Sequence, residues 1–350
     1  MAFHPTWRRW GALYAGPVRV LVAPDKFRGT VTAAEAAAAL ADGFAALGHE
    51  VTTQPLADGG EGTLEVLGGP NRTTTVTGPL GDPVEAGWRY ERRSAVIEMA
   101  AASGLALVGG RDGNDPVAAS TYGTGELIAA ALDAGARRIV VAVGGSATTD
   151  GGLGALRAIY PLQRLRGVEL VVACDVQTSF TDAARVFAPQ KGATPAQVEL
   201  LERRLERLVQ VYEDEHGVDV SDLPGAGAAG GLAGGLAAVG ATLVPGFELV
   251  AESVDLDERI EAADLVVTGE GFLDEESFDG KVVGGVVEMA EELDTPVVAV
   301  VGEAFDAATD RVPTVSLVER FGRERALGDT AACLRAAAAA VLQLVGEVRP

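Results

Sequence analysis

Apolar and polar positions alternate along this chain in two different rhythms. Residues 18–23, VRVLVA, form a short β-branched run that stops at Pro24, as a strand buried on both faces does. Thr32 and Glu35 then have capping-box spacing ahead of an alanine-rich stretch, which predicts a helix running to Leu47. Residues 50–56 give a second strand, which delivers the loop ADGGEGT, residues 57–63. From Leu64 to Glu261 the rhythm changes. Residues 73–77 and 86–99 read as hairpin strands with turns at Gly78-Pro79 and Gly81-Asp82-Pro83. Residues 126–134 read as a helix, and 138–143 and 168–173 as strands. Pro189 to Gly192 opens the next helix, in which Val198, Leu201, Leu205, Leu208 and Tyr212 share one face. Beyond Ala262 strand, loop and helix alternate again, with strands at 265–268, 296–301 and 314–318 and helices at 282–293 and 329–345.

Two strands before the middle region and three after it predict an α/β protein, a discontinuous flavodoxin-like doubly wound parallel sheet domain with an inserted second α/β domain. The expected boundaries are 17–63 and 262–350 for the sheet domain and 64–261 for the insert, with 1–16 a loose N-terminal extension. In the flavodoxin-like order 2-1-3-4-5 the switch point lies between the first and third strands. That order sets the loop 25–30 beside the loop 270–281, in a crevice expected to face the insert.

Composition narrows the function. The chain has 350 residues, 48% of them hydrophobic, and a formal net charge of −22. This is enough apolar material for two cores, and a balance that argues against nucleic acid or an anionic membrane surface as partner. Cys174 and Cys333 are the only cysteines, which gives no disulfide framework and points to a reducing, cytoplasmic setting. The three histidines, His4, His49 and His216, flank no nucleophile elbow and make no zinc spacing. Lysine occurs only at 26, 191 and 281, and the other 25 of the 28 basic residues are arginines. All three lysines sit in Gly-, Pro- or Asp-rich loops, where a flexible point charge serves as a phosphate ligand.

The chemistry concentrates in loops. In TGEGFLDEESFDGK, residues 268–281, Glu270, Asp274, Asp279 and Lys281 gather where a buried strand is expected to end. Such a cluster reads as a ligand site, with a solvated acidic loop as the alternative. Asp58 and Glu61 lie among Gly59, Gly60 and Gly62, which leaves carboxylates and backbone open either to hold Mg²⁺ or to take a hydroxyl proton. The glycine loops at Gly144, Gly145 and Ser146 and at Gly225, Gly227 and Gly230 suit a phosphate approached by backbone N–H groups, although turns alone also use glycine. Asp150 reads as a helix cap, and Asp175 as either a cap or a metal-site acid.

Eight segments occur in order: APDKFRGT at 23–30, ADGGEGT, IEMAAASG at 97–104, TYGTGE at 121–126, GGSATTDGG at 144–152, FAPQKGA at 187–193, GAGAAGGL at 225–232, and the TGEG, Asp and Gly-Lys of 268–281. Together they resemble the glycerate kinase family, from about Val18 to Gly302. The resemblance implies phosphorylation of D-glycerate by ATP with Mg²⁺, in a cleft between the two domains. It implies Asp58, Lys281 and Asp175 as catalytic residues, with Glu270 and Asp274 near the metal. Asp25, Lys26, Arg28, Gly59, Gly60, Glu61, Gly144, Gly145, Ser146, Lys191, Gly227 and Gly230 are then the residues around substrate and phosphate. The expected partners are small molecules and, in assembly, further copies of this chain. The chain departs from the commoner family motifs at Lys26, Arg28, Thr149, residues 177–182 and Phe272, the last standing where arginine is usual. Those departures leave open a kinase of another small hydroxy acid, and a non-catalytic sensor of the same fold is the reading from a different class.

Overall fold

The computed structural model describes residues 17–27 and 29–347, so the expected extension 1–16 and Arg28 lie outside the described residues. The described residues divide into two compact units, those up to Asp58 together with those from Phe247 on, and residues 59–246. Eleven strands are described: β1 (Arg19–Pro24), β2 (Glu50–Thr53), β3 (Arg72–Thr77), β4 (Pro83–Glu91), β5 (Ser94–Glu98), β6 (Arg138–Ala142), β7 (Glu169–Cys174), β8 (Thr242–Pro245), β9 (Leu265–Leu273), β10 (Val297–Ala304) and β11 (Thr314–Ser316).

The first unit is a five-stranded, wholly parallel sheet in the order β11-β10-β9-β1-β2. Counted along the chain this is 2-1-3-4-5, the order expected from the rhythm of apolar runs. Because side chains alternate across a strand, Val20, Val22, Leu265, Val267, Val298 and Val300 enter one core. The helices Ala33–Ala46 and Thr330–Glu347 cover that face. They pack closely because Gly43 has no side chain, and a Cβ there would lie 2.2 Å from the Arg335 carbonyl oxygen. The other face carries Leu21, Val266 and Ala299, with the buried Val282, Val283 and Val286 of the helix Val282–Glu292 on the same unit. The Thr32 and Glu35 capping box is formed in full at the start of the first helix.

The second unit is a six-stranded sheet in the order β3-β4-β5-β6-β7-β8, antiparallel up to β5 and parallel from there on. Its core runs from Val76 and Trp88 to Leu232 and Leu236. Residues 86–99 were expected as one strand but are two. The chain reverses at Arg92 and Arg93, both with positive φ (48° and 66°), so Glu91 pairs with Ser94. No Gly or Asn marks this turn in the sequence, and the pairing of the flanking strands outweighs the local preference. Strand β8 also lies where no strand was expected, since its four residues become strand by adding to the edge of β7.

The division between units falls at 58/59 and 246/247, not at 63/64 and 261/262. Gly59 explains the first shift. Its carbonyl accepts from Val143 N at 3.2 Å, and a Cβ on it would lie 2.5 Å from Gly246 Cα, so it packs inside the second unit. Phe247 explains the other, because its ring fills the space above Gly285, where a Cβ would meet it at 2.1 Å.

Candidate active site

In the first unit the carboxyl end of β1 lies beside the middle of β9, with Pro24 opposite Gly269 and Asp25 N donating to Gly269 O at 2.8 Å. Asp25 leaves β1 there, and Asp58 arrives from the segment after β2. Both are buried, each 8% exposed, a degree of burial that carboxylates tolerate only with a cation or hydrogen-bond donors at hand. Lys26 supplies the cation, its Nζ standing 3.7 Å from Asp25 Oδ1 and 3.8 Å from Asp58 Oδ1. The Lys26 backbone N–H also donates to Asp25 Oδ1 at 2.7 Å.

The acidic stretch is built differently from its expected form. Strand β9 does not end at Thr268. It runs on to Leu273 because β10 stays paired with it, Glu270 opposite Val301 and Phe272 opposite Glu303. Glu270 is therefore a strand residue in mid-ladder. Burial pushes its carboxyl up to about 7, with Asp25 and Asp274 adding to the rise and the Ser277 hydroxyl and Lys281 opposing it. Its Oε1 is buried without a hydrogen-bond partner. Asp274 caps the turn Glu275–Phe278, its Oδ1 accepting from Ser277 N at 3.1 Å. Lys281 stands at the N-cap of the helix Val282–Glu292, its Nζ 3.4 Å from the exposed Glu276 Oε2. Phe272 is 41% exposed and meets Phe305 edge-on at 4.8 Å.

The second unit brings two of the sequence's glycine loops into backbone contact. A Cβ on Gly144 would lie 2.8 Å from Gly60 Cα and 3.1 Å from Glu61 N, and one on Gly145 4.0 Å from Glu61 Oε2. Gly59, Gly60, Glu61, Gly144, Gly145 and Ser146 thus form one locus. Glu98 holds its near edge, accepting from Gly62 N at 2.9 Å and Leu64 N at 2.7 Å. Lys191 lies beneath the locus, 3% exposed, donating to Ser146 Oγ at 2.8 Å and Thr148 O at 2.6 Å. Burial pulls its ammonium down to about 7, with Asp150 opposing the fall. Asp150 accepts from Thr121 N at 2.8 Å, Gly152 N at 3.1 Å and Gly154 N at 3.2 Å, and so ties the end of this loop to the turn before the helix Tyr122–Asp133. Asp175 follows β7 directly, next to Cys174, whose thiol burial and the neighbouring carboxylate push up to about 11.

Gly227 and Gly230 do not open their backbone to a ligand. The Gly227 N–H donates to Thr178 O at 2.9 Å, and a Cβ on Gly227 would stand 2.3 Å from Ser179 O. Gly230 is buried at φ +68° with Thr148 O 2.0 Å from where its Cβ would be. Their glycines serve close packing of the segment 226–235 against two other loops. The expectation that they cradle phosphate is corrected accordingly.

Within the first unit the structure thus gathers Asp25, Lys26, Asp58, Glu270, Asp274 and Lys281 beyond the carboxyl end of β1. Within the second it gathers Gly59, Gly60, Glu61, Gly144, Gly145, Ser146 and Lys191, while Asp175 ends the adjacent strand β7. Two contributors escaped the sequence reading. Glu98 carried a signal, an acid closing the apolar strand β5. Asn114, whose Nδ2 donates to Ala147 O at 3.0 Å and Lys191 O at 2.9 Å, carried none, being one polar residue in a polar turn.

Among the described residues no group of three or more His, Cys, Asp or Glu is arranged to hold a metal. No described helix is long and apolar enough to cross a membrane.

The family model described as "Glycerate kinase family" matches residues 20–160 and 161–347. A glycerate kinase of Halalkalibacterium halodurans is 39% identical over 347 residues, covering 85% of this chain and 91% of its own. The glycerate 2-kinase of Escherichia coli K12 is 38% identical over 329 residues, covering 83% and 86%. Among solved structures, one described as glycerate kinase 2 from Salmonella typhimurium LT2 superposes with a TM-score of 0.77 at 35% identity, covering 94% of this chain and 99% of that one.

Proposed function

The chain belongs to the glycerate kinase family, and from that we propose that it transfers the γ-phosphoryl group of ATP to a hydroxyl of D-glycerate. The observation that carries the reading is the switch-point cluster of Asp25, Lys26 and Asp58, in a chain matched to the family from residue 20 to 347. Phosphoryl transfer asks a protein mainly for position and for charge where the phosphoryl group passes.

In this reading Asp58 accepts the proton of the attacking glycerate hydroxyl. That oxygen forms the new bond to the γ-phosphorus as the bond to the bridging oxygen of ADP breaks, and Asp58 later gives its proton to solvent. Lys26, held between Asp25 and Asp58, faces either the glycerate carboxylate or a phosphate oxygen, and Lys281 at its N-cap meets the transferred group. Asp175 is the second unit's candidate carboxylate, while Gly59, Gly60, Glu61, Gly144, Gly145 and Ser146 offer it an anion-receiving surface. Arg28 keeps its place in this proposal on its sequence position alone.

The donor set fits a magnesium ion carried in by the nucleotide. Such an ion needs only one or two protein carboxylates, and the orphaned Glu270 Oε1, with Asp274 four residues on, supplies them. When bound it would neutralise charge on the phosphate oxygens.

The test is ADP release by the purified chain with Mg-ATP and a panel of hydroxy acids. D-glycerate should be the best acceptor, and Asp58→Asn should lower turnover by about 10²- to 10⁴-fold with an unchanged melting temperature. Wild-type turnover in that variant would remove Asp58 from its role. The exposed Phe272 and Phe305 pair favours one other reading, a hydroxy acid with an apolar side chain, which the same panel detects as a better acceptor.

A further inference from the structure

Lys191 is the one lysine that is almost wholly buried, and among the described residues it has no ion pair. Its ammonium instead donates to a hydroxyl and a carbonyl of one loop, Ser146 Oγ and Thr148 O. An ammonium has three donors, so these two leave one over. The same loop is held by Asn114 at Ala147 O, by Ser103 O at Ala147 N and by Leu105 N at Gly145 O. Every residue from 145 to 148 is therefore tied to a neighbouring segment, and the cation lies directly under Ser146. A buried cation without a carboxylate is costly. An anion at Ser146 would offset that cost, because the Ser146 hydroxyl that would meet it accepts directly from the Lys191 ammonium at 2.8 Å.

We propose that Lys191 is a positioning residue that holds Ser146 and the 145–148 backbone in the form that receives an oxyanion, a phosphate or carboxylate oxygen, and that its charge makes anion binding there take up a proton. The proposal rests on the kinase reading above for the supply of such anions, and it goes beyond that reading in removing Lys191 from direct contact with them. Burial pulls the ligand-free ammonium down to about 7, so it gives up its proton far more readily than an exposed lysine, and the arriving anion draws that proton back. The charged groups on the elements around it are few. Asp150 lies on the same loop and favours the ammonium, Glu61 faces Gly145 from the adjoining loop, Arg111, Asp112 and Asp115 lie around Asn114 in its turn, Asp182 and Arg185 pair with each other on the exposed side of the helix Ala183–Phe187, and the segment 228–238 contains only Ala, Gly and Leu.

The test uses the full chain in isothermal titrations with ATP and, separately, with D-glycerate, each in two buffers of different ionisation enthalpy between pH 6 and 9. One ligand should take up a proton over part of this pH range, with its affinity weakening as the pH rises. The identity of that ligand tells phosphate from carboxylate. Lys191→Met should abolish the uptake and raise KM for the same ligand by about tenfold, with a much smaller change in kcat. Ser146→Ala, which keeps the lysine, should weaken that ligand too, and it carries the test should the Met variant not fold.

Proton uptake that persists in Lys191→Met, or affinities for both ligands unchanged in Ser146→Ala, overturns the proposal. Uptake absent with both ligands in the wild-type chain overturns it as well. Absence of turnover with glycerate would count against the kinase reading alone, because proton uptake on binding is measured without turnover.

Discussion

Asp150→Asn probes the loop 144–152 with the least change in shape. In the folded chain one carboxylate oxygen, Oδ2, takes Thr121 N at 2.8 Å, the Thr121 hydroxyl at 2.9 Å and Gly154 N at 3.2 Å. The other, Oδ1, takes Gly152 N at 3.1 Å. All these partners are donors. An asparagine keeps one oxygen, which is best placed on the Thr121 side, and must then point its NH₂ at the Gly152 N–H. The variant loses one charge-assisted bond outright, leaves one backbone donor facing another and weakens the remaining bonds by removing the charge.

At about 1.5–3 kcal/mol for a hydrogen bond to a charged group, with a further 1–3 for a donor left unsatisfied, the cost comes to roughly 3–5 kcal/mol. For a unit of this size each kcal/mol lowers the midpoint by about 2–4 °C, so calorimetry of the whole chain should show the transition of the second unit falling by roughly 6–20 °C. The other unit's transition should stay in place. Removing the carboxylate also withdraws the charge that favours the Lys191 ammonium. The pH above which anion affinity fades should accordingly move to lower pH. A melting curve within about 1 °C of wild type would refute the account of Asp150 as the tie between this loop and Thr121.

Three further outcomes are expected. Lys281→Ala removes only a long contact to an exposed Glu276, worth at most about 1 kcal/mol. It should leave the melting temperature alone while lowering turnover by about 10²- to 10³-fold, and wild-type turnover would show that Lys281 does not meet the transferred group. Gly230→Ala pushes a methyl into Thr148 O from a φ of +68°, so it should destabilise by more than about 2 kcal/mol in urea denaturation; an unaffected midpoint would mean the segment yields easily. Lys191 has a folded-state pKa below its unfolded value, so its ammonium disfavours the ligand-free fold increasingly as pH falls from about 10 to about 7. The stability difference between Lys191→Met and wild type, from urea titrations at pH 9.5 and 7, should shift in favour of Met at the lower pH, and a pH-independent difference would contradict the buried, uncompensated ammonium.

The sequence by itself determined the frame of the first unit. The runs at 18–23, 265–268 and 296–301 are apolar without alternation because both faces of a parallel sheet are covered, and that composition is visible locally. The capping box at Thr32 is visible for the same reason, since it is closed by residues three apart. With two strands before the insert and three after it, the flavodoxin-like order put the loop after β1 beside the segment that carries Glu270, whereas the approach of Asp58 to Lys26 was set by the fold. Only the tertiary structure decided the rest, because there the energy comes from partners far away in the chain. Strand β9 reaches Leu273 because β10 keeps pairing with it, and the turn at Arg92 and Arg93 exists because β4 and β5 pair. Gly227 and Gly230 read as a phosphate loop until the carbonyls of Thr178, Ser179 and Thr148 occupied the space around them. Lys191 was picked out as an anion ligand by its rarity, its loop and its motif; its place beneath Ser146, with its charge turned inward, is set by the fold of the 144–152 loop over it.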